Sequence, residues 1–328
     1  MDRIESKKGK VLFAISLGDD LTKSEVKERT GLSMSTVISS VDILAKEGWI
    51  TSEEERVATG GKPHAVLNVR RDAVAYGVSY RAGGLYAVAA DVKGRILCSE
   101  RREAREGVPP KKEVLSLFGA LSAKAPPPRA LAVALNSSDR EEMLAELEKS
   151  YSLPVIPTSN TAALAYRALW RGGEYPLAIL GVGNRVKCAL LGEKECRTAD
   201  LSDHPSLGAF TGEGSCRALL SASRVARRLA NKDFNGVYLA EEDGATECRD
   251  ISAYSRALIV AISGLTESVE LFAAPRAIGL FGEYLTEGFF ERIRAQARTR
   301  APLFRECPEG EKFALGAALA AIIERVLS

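Results

Sequence analysis

Four stretches of this chain combine residue types and spacings that could do chemistry. The first is Ser33-Met34-Ser35-Thr36-Val37-Ile38-Ser39-Ser40, a run rich in hydroxyls. Hydroxyl groups donate to phosphate oxygens and to base edges in a DNA major groove. The second is Gly77-Val78-Ser79-Tyr80-Arg81-Ala82-Gly83-Gly84-Leu85-Tyr86, a glycine turn between two apolar strands. The backbone N–H groups of such a turn cradle an anion when small residues fall at the right places. The third is Asn160-Thr161-Ala162-Ala163, which opens an alanine-rich helix. The fourth is Gly181-Val182-Gly183-Asn184-Arg185-Val186-Lys187, where two glycines precede two cations. Those cations either attract an anionic ligand or stand solvated in a loop, the commoner fate of surface charge.

The elements that hold the first stretch can be read locally. Val11, Leu12, Ile15 and Leu17 share a helical face, and Gly18-Asp19-Asp20 ends it. Thr22 caps a second helix, with Glu25 completing a capping box. Gly31 allows a tight turn, Ser33 caps a third helix, and Val37, Val41 and Leu44 form its buried stripe until Gly48. Two short helices around a glycine-containing turn make a helix-turn-helix. Trp49-Ile50 begins an extended segment, Glu53 to Pro63 forms a polar tip, and His64 to Val69 returns as a strand. A ribbon of this kind after the third helix is the wing of a winged helix.

The solvent face of the third helix is expected to show Met34, Ser35, Thr36, Ser39 and Ser40. Ser35, Thr36, Ser39 and Ser40 are therefore candidate DNA contacts. Lys62, within Gly60-Gly61-Lys62-Pro63, is a fifth, because cationic side chains read minor grooves. The alternatives are a helical bundle with a serine-rich outside and a flexible hinge at the glycines. Residues 1–70 hold 11 Lys and Arg against 11 Asp and Glu, which weakens the case for phosphate neutralisation. Lys7, Lys8 and Lys10 nevertheless cluster at one end, and Glu53, Glu54 and Glu55 sit in the wing.

From Ala73 onward strands precede an alternation of strands and helices, the pattern of an α/β domain with a mixed sheet. The chain of 328 residues allows two or three domains. No apolar run is long enough for a membrane span, and the polar start MDRIESKKGK lacks a signal-peptide core. Six scattered cysteines without a C-x-x-C pair look like reduced thiols, so a cytoplasmic location is expected. Two histidines leave little scope for imidazole chemistry, and a net charge of +2 is neutral on nucleic acid.

A winged helix, a Gly-Gly-Lys-Pro segment and the strand-turn-strand that follows together resemble the ROK family, over nearly the whole chain. That family groups sugar kinases with transcriptional repressors that carry an N-terminal winged helix on a kinase-like body. The resemblance implies a winged helix-turn-helix over 1–72 and an actin/hexokinase-like (ribonuclease H-like) two-lobed body over 73–328. The small lobe would take about 73–165 plus the C-terminal helix, and the large lobe about 166–314. Aligning Asp91-Val92-Lys93-Gly94 with the family's Asp-x-x-Gly puts Ser79 at the phosphate-loop aspartate, and Arg81 and Ala82 at its two glycines. Thr161 stands at the catalytic base, where a hydroxyl cannot accept a proton near neutral pH as a carboxylate does. Of the glycine ladder, Gly181 and Gly183 remain, while Arg185 and Lys187 replace the rest.

Leu201 replaces the sugar-contacting glutamate, and His204 is retained. Cys216 alone of three zinc cysteines has a counterpart, so no metal site is expected. The segment after Ala130 to Leu135 is shorter than in the family. Asn160 and His204 are candidate effector contacts, although a structural polar role fits each better once its companions are lost. The implied function is a kinase-inactive transcriptional regulator without a cofactor. It would bind a double-stranded operator as a homodimer or higher oligomer and respond to a sugar-like or other small effector. The alternatives are an ATP-dependent sugar kinase and a scaffold that no longer binds DNA.

Overall fold

The computed structural model describes residues 6–55, 64–81, 83–103, 110–135, 139–182, 186–192, 195–201, 248–282, 285–306 and 309–327. These fall into two compact units, Met1–Gly173 with Glu309–Ser328, and Glu174–Pro308.

The first unit begins with α1 (Lys7–Ser16), β1 (Leu21–Thr22), α2 (Lys23–Thr30) and α3 (Met34–Lys46), then β2 (Ile50–Glu55) and β3 (His64–Val69). Local chemistry sets the helix ends. The Thr22 hydroxyl accepts from Glu25 N–H while the Glu25 carboxylate accepts from Thr22 N–H, a complete capping box. Gly31 closes α2 in the left-handed region at φ 69°, and Ser33 caps α3 through Thr36 N–H. Val11, Leu12, Ile15, Val26, Val37, Val41 and Leu44 form the buried core of these helices. Leu17, expected on that face, lies at the end of α1 and is 57% exposed. A strand the sequence reading lacked, β1, pairs with β3, so the sheet has the order β1-β3-β2 and is antiparallel throughout.

The rest of this unit is built on β4 (Val74–Arg81), β5 (Gly84–Asp91), β6 (Ile96–Glu103), β7 (Ala130–Ala134) and β8 (Val155–Pro157). With them come α4 (Pro110–Ser122), α5 (Arg140–Tyr151), α6 (Asn160–Trp170) and the final helix, designated α9 (Gly310–Leu327). Strand alternation sorts side chains by size. Val74, Tyr76 and Val78 point with Leu131 and Val133 into a core completed by Val114, Phe118, Met143 and Leu147 of α4 and α5. The intervening residues are small, and α9 packs on β4, β5 and β7 while also lying along α6. A Cβ on Gly77 would come 2.2 Å from Ala314 O, and one on Gly316 would come 2.1 Å from Ala163 O. Glycine is required at both places by backbone approach. Helix α6 stays with this unit over its whole length, past the lobe boundary at 165 expected from the sequence.

The first 72 residues are tied to the rest of this unit at named points. Phe13 meets Trp170 edge-on at 5.2 Å between ring centroids. Lys93 Nζ donates to Gly18 O at 3.3 Å and to the Asp19 carboxylate. Arg129 donates to Glu47 O, at the end of α3, at 3.3 Å and to the Asp72 carboxylate at 3.4 Å. Arg70 also donates to the Asp72 carboxylate, with two bonds of 2.7 Å.

The second unit carries β9 (Leu177–Val182), β10 (Val186–Leu191), β11 (Cys196–Asp200), α7 (Cys248–Ala273), β12 (Ala277–Phe281), α8 (Glu287–Gln296) and β13 (Leu303–Arg305). Its core gathers Leu180, Val182, Ile262, Leu265, Leu280, Phe289 and Ile293. The sheet order is β11-β10-β9-β12-β13, against β6-β5-β4-β7-β8 in the first unit. In both sheets the first strand pairs antiparallel to the second, the second antiparallel to the third, and the remaining pairs are parallel. Each unit thus repeats one topology, although the sequence shows no repeat. The fold is mixed α/β with two mixed sheets, as expected. No helix among the described residues is long and apolar enough to cross a membrane.

Candidate functional site

Helix α3 presents its outer face beside α2. Ser35 and Ser39 are exposed, as expected. Thr36 is half-buried, with its hydroxyl 2.9 Å from Ser33 Oγ at the cap. Ser40 is a correction: it is 4% exposed. Its position three residues after Val37 and four before Leu44 puts it on the buried stripe, because a helix repeats every 3.6 residues. The outer face instead gains Ile38 and Ile43, 40% and 44% exposed. The sequence reading missed both, although the same period that buries Val37 and Val41 turns residue 38 outward. Exposed aliphatic groups suit the thymine methyl as hydroxyls suit phosphates. Among the basic residues near the start, Lys8 is engaged with Glu47 at 3.1 Å. Lys62, with Gly60, Gly61 and Pro63, lies outside the described residues.

The second cluster forms where β4 ends, α6 begins and α9 begins. Ser79 is fully buried, and its hydroxyl donates to Gly310 O at 2.9 Å. It sits on the small-residue side of β4, facing α9. The Arg81 guanidinium lies over the Phe313 ring at 5.6 Å. Gly83, at φ 77°, lies between Arg81 and Gly84, which face each other as the last pair of the hairpin. Asn160 Nδ2 donates to Tyr80 O at 2.8 Å, while its Oδ1 is buried without a partner among the described residues. Thr161 is 2% exposed within α6. Three stretches far apart in sequence, 79–81, 160–161 and 310–313, are thus brought together, and their residues are largely taken up in internal bonding and packing.

At the other end of β5, Asp91 and Gly94 make the expected turn. Gly94 N–H donates to Asp91 O, and the Asp91 carboxylate accepts from Arg95 N–H and Nε. In the second unit, Gly181 lies on β9 opposite Lys187 on β10. A Cβ on Gly181 would meet the Phe281 ring at 2.5 Å, so this glycine serves close packing. Gly183 and Arg185 lie outside the described residues, as do His204 and Cys216.

Two five-stranded sheets of like topology, with helices packed against them, define an actin/hexokinase-like fold, the fold of ROK-family structures. The chain is similar over 98% of its length, and 95% of the other's, to the crystal structure of a ROK family transcriptional regulator, a homologue of the Escherichia coli MLC protein, with a TM-score of 0.67 and 15% identity. It is similar to a ROK hexokinase from Thermus thermophilus (TM-score 0.57, 17% identity) over 77% of this chain and 99% of that one. A ROK family glucokinase from Streptomyces griseus, in complex with glucose and AMPPNP, gives a TM-score of 0.54 at 15% identity, over 76% of this chain and 99% of that one. At these identities the likeness establishes the fold. No family model matches the chain, and no curated protein matches it at a significant level.

Proposed function

We propose that this chain is a DNA-binding transcriptional regulator of the ROK type, cytoplasmic and without kinase activity. The observation that carries the reading is the outward face of α3, where Ser35, Ile38 and Ser39 stand open beside a capped, glycine-turned α2. A winged helix over 1–72 fits these elements and the sheet β1-β3-β2. The likeness to a regulator over 98% of the chain, against 77% for a kinase, supports assigning the difference to this segment. The protein would act as a homodimer or higher oligomer, placing two α3 helices in successive major grooves of an operator. An effector would work by favouring one arrangement of those helices over another.

Loss of catalysis is supported by the use of Ser79 to bond α9 and by Thr161 at the position of the base. The kinase neighbours make a sugar kinase the second reading. Sequencing DNA captured by the full-length protein from a random pool, with and without cell metabolites, tests the first. An enriched sequence bound in polarisation titrations is expected, and a pool without enrichment would sink it. ATP turnover over a panel of hexoses with magnesium tests the second. No turnover above background is expected, and turnover removed by Asn160→Ala would establish the kinase instead.

A further inference from the structure

The first unit contains a cavity of about 460 Å³ beside the end of α1. Three cations line it: Lys93, Arg167 and Arg171. Trp170, Leu315 and Leu319 supply an apolar wall, and among the described residues no acidic side chain is in the lining. Neighbouring elements set this arrangement. Arg167 and Trp170 are three apart on α6, Arg171 is its C-cap, and Leu315 and Leu319 are four apart on α9. Gly94 lets the Trp170 indole approach, since a Cβ there would sit 3.0 Å from it. The volume falls in the range of small-ligand sites. The end of α6 bears partial negative charge, which the exposed Arg171 guanidinium opposes. Guanidinium binds phosphate through paired hydrogen bonds.

We propose that this cavity binds a small phosphate monoester with an apolar portion, and that the ligand competes with Asp19 for Lys93. Lys93 now bonds Gly18 O and Asp19 at the end of α1. A ligand anion that draws Lys93 inward loosens one of the ties between the first 72 residues and the strands that follow. Binding itself needs no DNA, whereas its effect on DNA rests on the function proposed above.

Calorimetric titration of the full-length protein with phenyl phosphate tests the site. One ligand per chain is expected, with a Kd of about 0.1–1 mM, and benzyl alcohol is expected not to bind. Arg171→Ala, at an exposed position, should weaken phenyl phosphate about tenfold, as loss of a charged hydrogen bond does. Asp19→Ala should strengthen it about two- to fivefold, the worth of an exposed ion pair. No binding of phenyl phosphate, or equal affinity in wild type and both variants, overturns the site. With DNA from the random-pool selection, phenyl phosphate should lower wild-type affinity, and Arg171→Ala should need about tenfold more ligand for the same effect. Unchanged affinity while phenyl phosphate is bound overturns the coupling. Failure to select any DNA sinks the proposed function and leaves the titrations to decide the site.

Discussion

Ser39 and Ser40 are adjacent and chemically identical, yet on α3 the first is exposed and the second buried. Glutamate at each separates surface from core. Ser39→Glu should leave the melting temperature within a degree or two of wild type, while like-charge repulsion with phosphate lowers DNA affinity about tenfold or more. Ser40→Glu should instead cost several kcal/mol of stability, because it buries an unpaired carboxylate. Thermal melts and polarisation titrations on both variants check this, and equal loss of affinity with no change in melting would contradict the placement. Ser79 makes a similar point in the body. Its carboxylate variant, Ser79→Asp, should not create turnover and should destabilise by about 2–4 kcal/mol, since a buried charge would meet the Gly310 carbonyl. A denaturant titration and the hexose assay together decide it. That Ser79 and Thr161 carry hydroxyls rather than carboxylates was legible in the sequence. What these residues do instead was not, because the bond to Gly310 spans 231 positions and depends on where α9 lies.

Among the elements, those with strong local signals were readable: the capping box at Thr22, the left-handed Gly31, the cap at Ser33 and the apolar strands. Strands β1, β11 and β13 and helix α8 were missed. β1 and β13 have two and three residues, too few for a period to show, and β11 is largely polar. β1 exists because Leu21 and Thr22 find partners at Leu67 and Val66. Nor could the sequence show that Gly77 and Gly316 are contact points, since each looks like any glycine in an apolar run. Their packing makes a sharp prediction. Gly316→Val would drive a branched side chain into the backbone of α6 at Ala163, costing about 1–3 kcal/mol or more by overpacking. Gly119→Val, on the exposed side of α4 with open space around it, should change stability by less than half as much. Chemical denaturation of the two variants gives the comparison, and equal stabilities would mean α9 does not lie against α6 this closely.

Over the whole chain, the first 72 residues and the strands beyond them share a set of charged ties, and these respond to acid. Hydrogen bonds from Arg70, more than any other influence, hold the Asp72 carboxyl down to about 2. Its folded pKa is below its ordinary value near 3.9. The stabilisation is therefore complete above about pH 4 and is lost as pH falls through about 2. Asp72→Asn should melt below wild type at pH 7, by a modest margin because the group is half exposed, and the gap should close as pH approaches 2. A gap that stays constant across that window would assign the effect to packing rather than charge.

The first unit is discontinuous: its strands are in place by residue 173, but the helix that covers their small-residue side begins only at Gly310. During synthesis on the ribosome, Ala75, Gly77 and Ser79 must therefore wait uncovered while more than a hundred further residues are added. A premature stop codon in that interval would spare every candidate DNA contact and still leave a nascent chain with an open, sticky sheet. Loss-of-function truncations of this gene should accordingly behave as misfolded, chaperone-bound products rather than as free DNA-binding fragments.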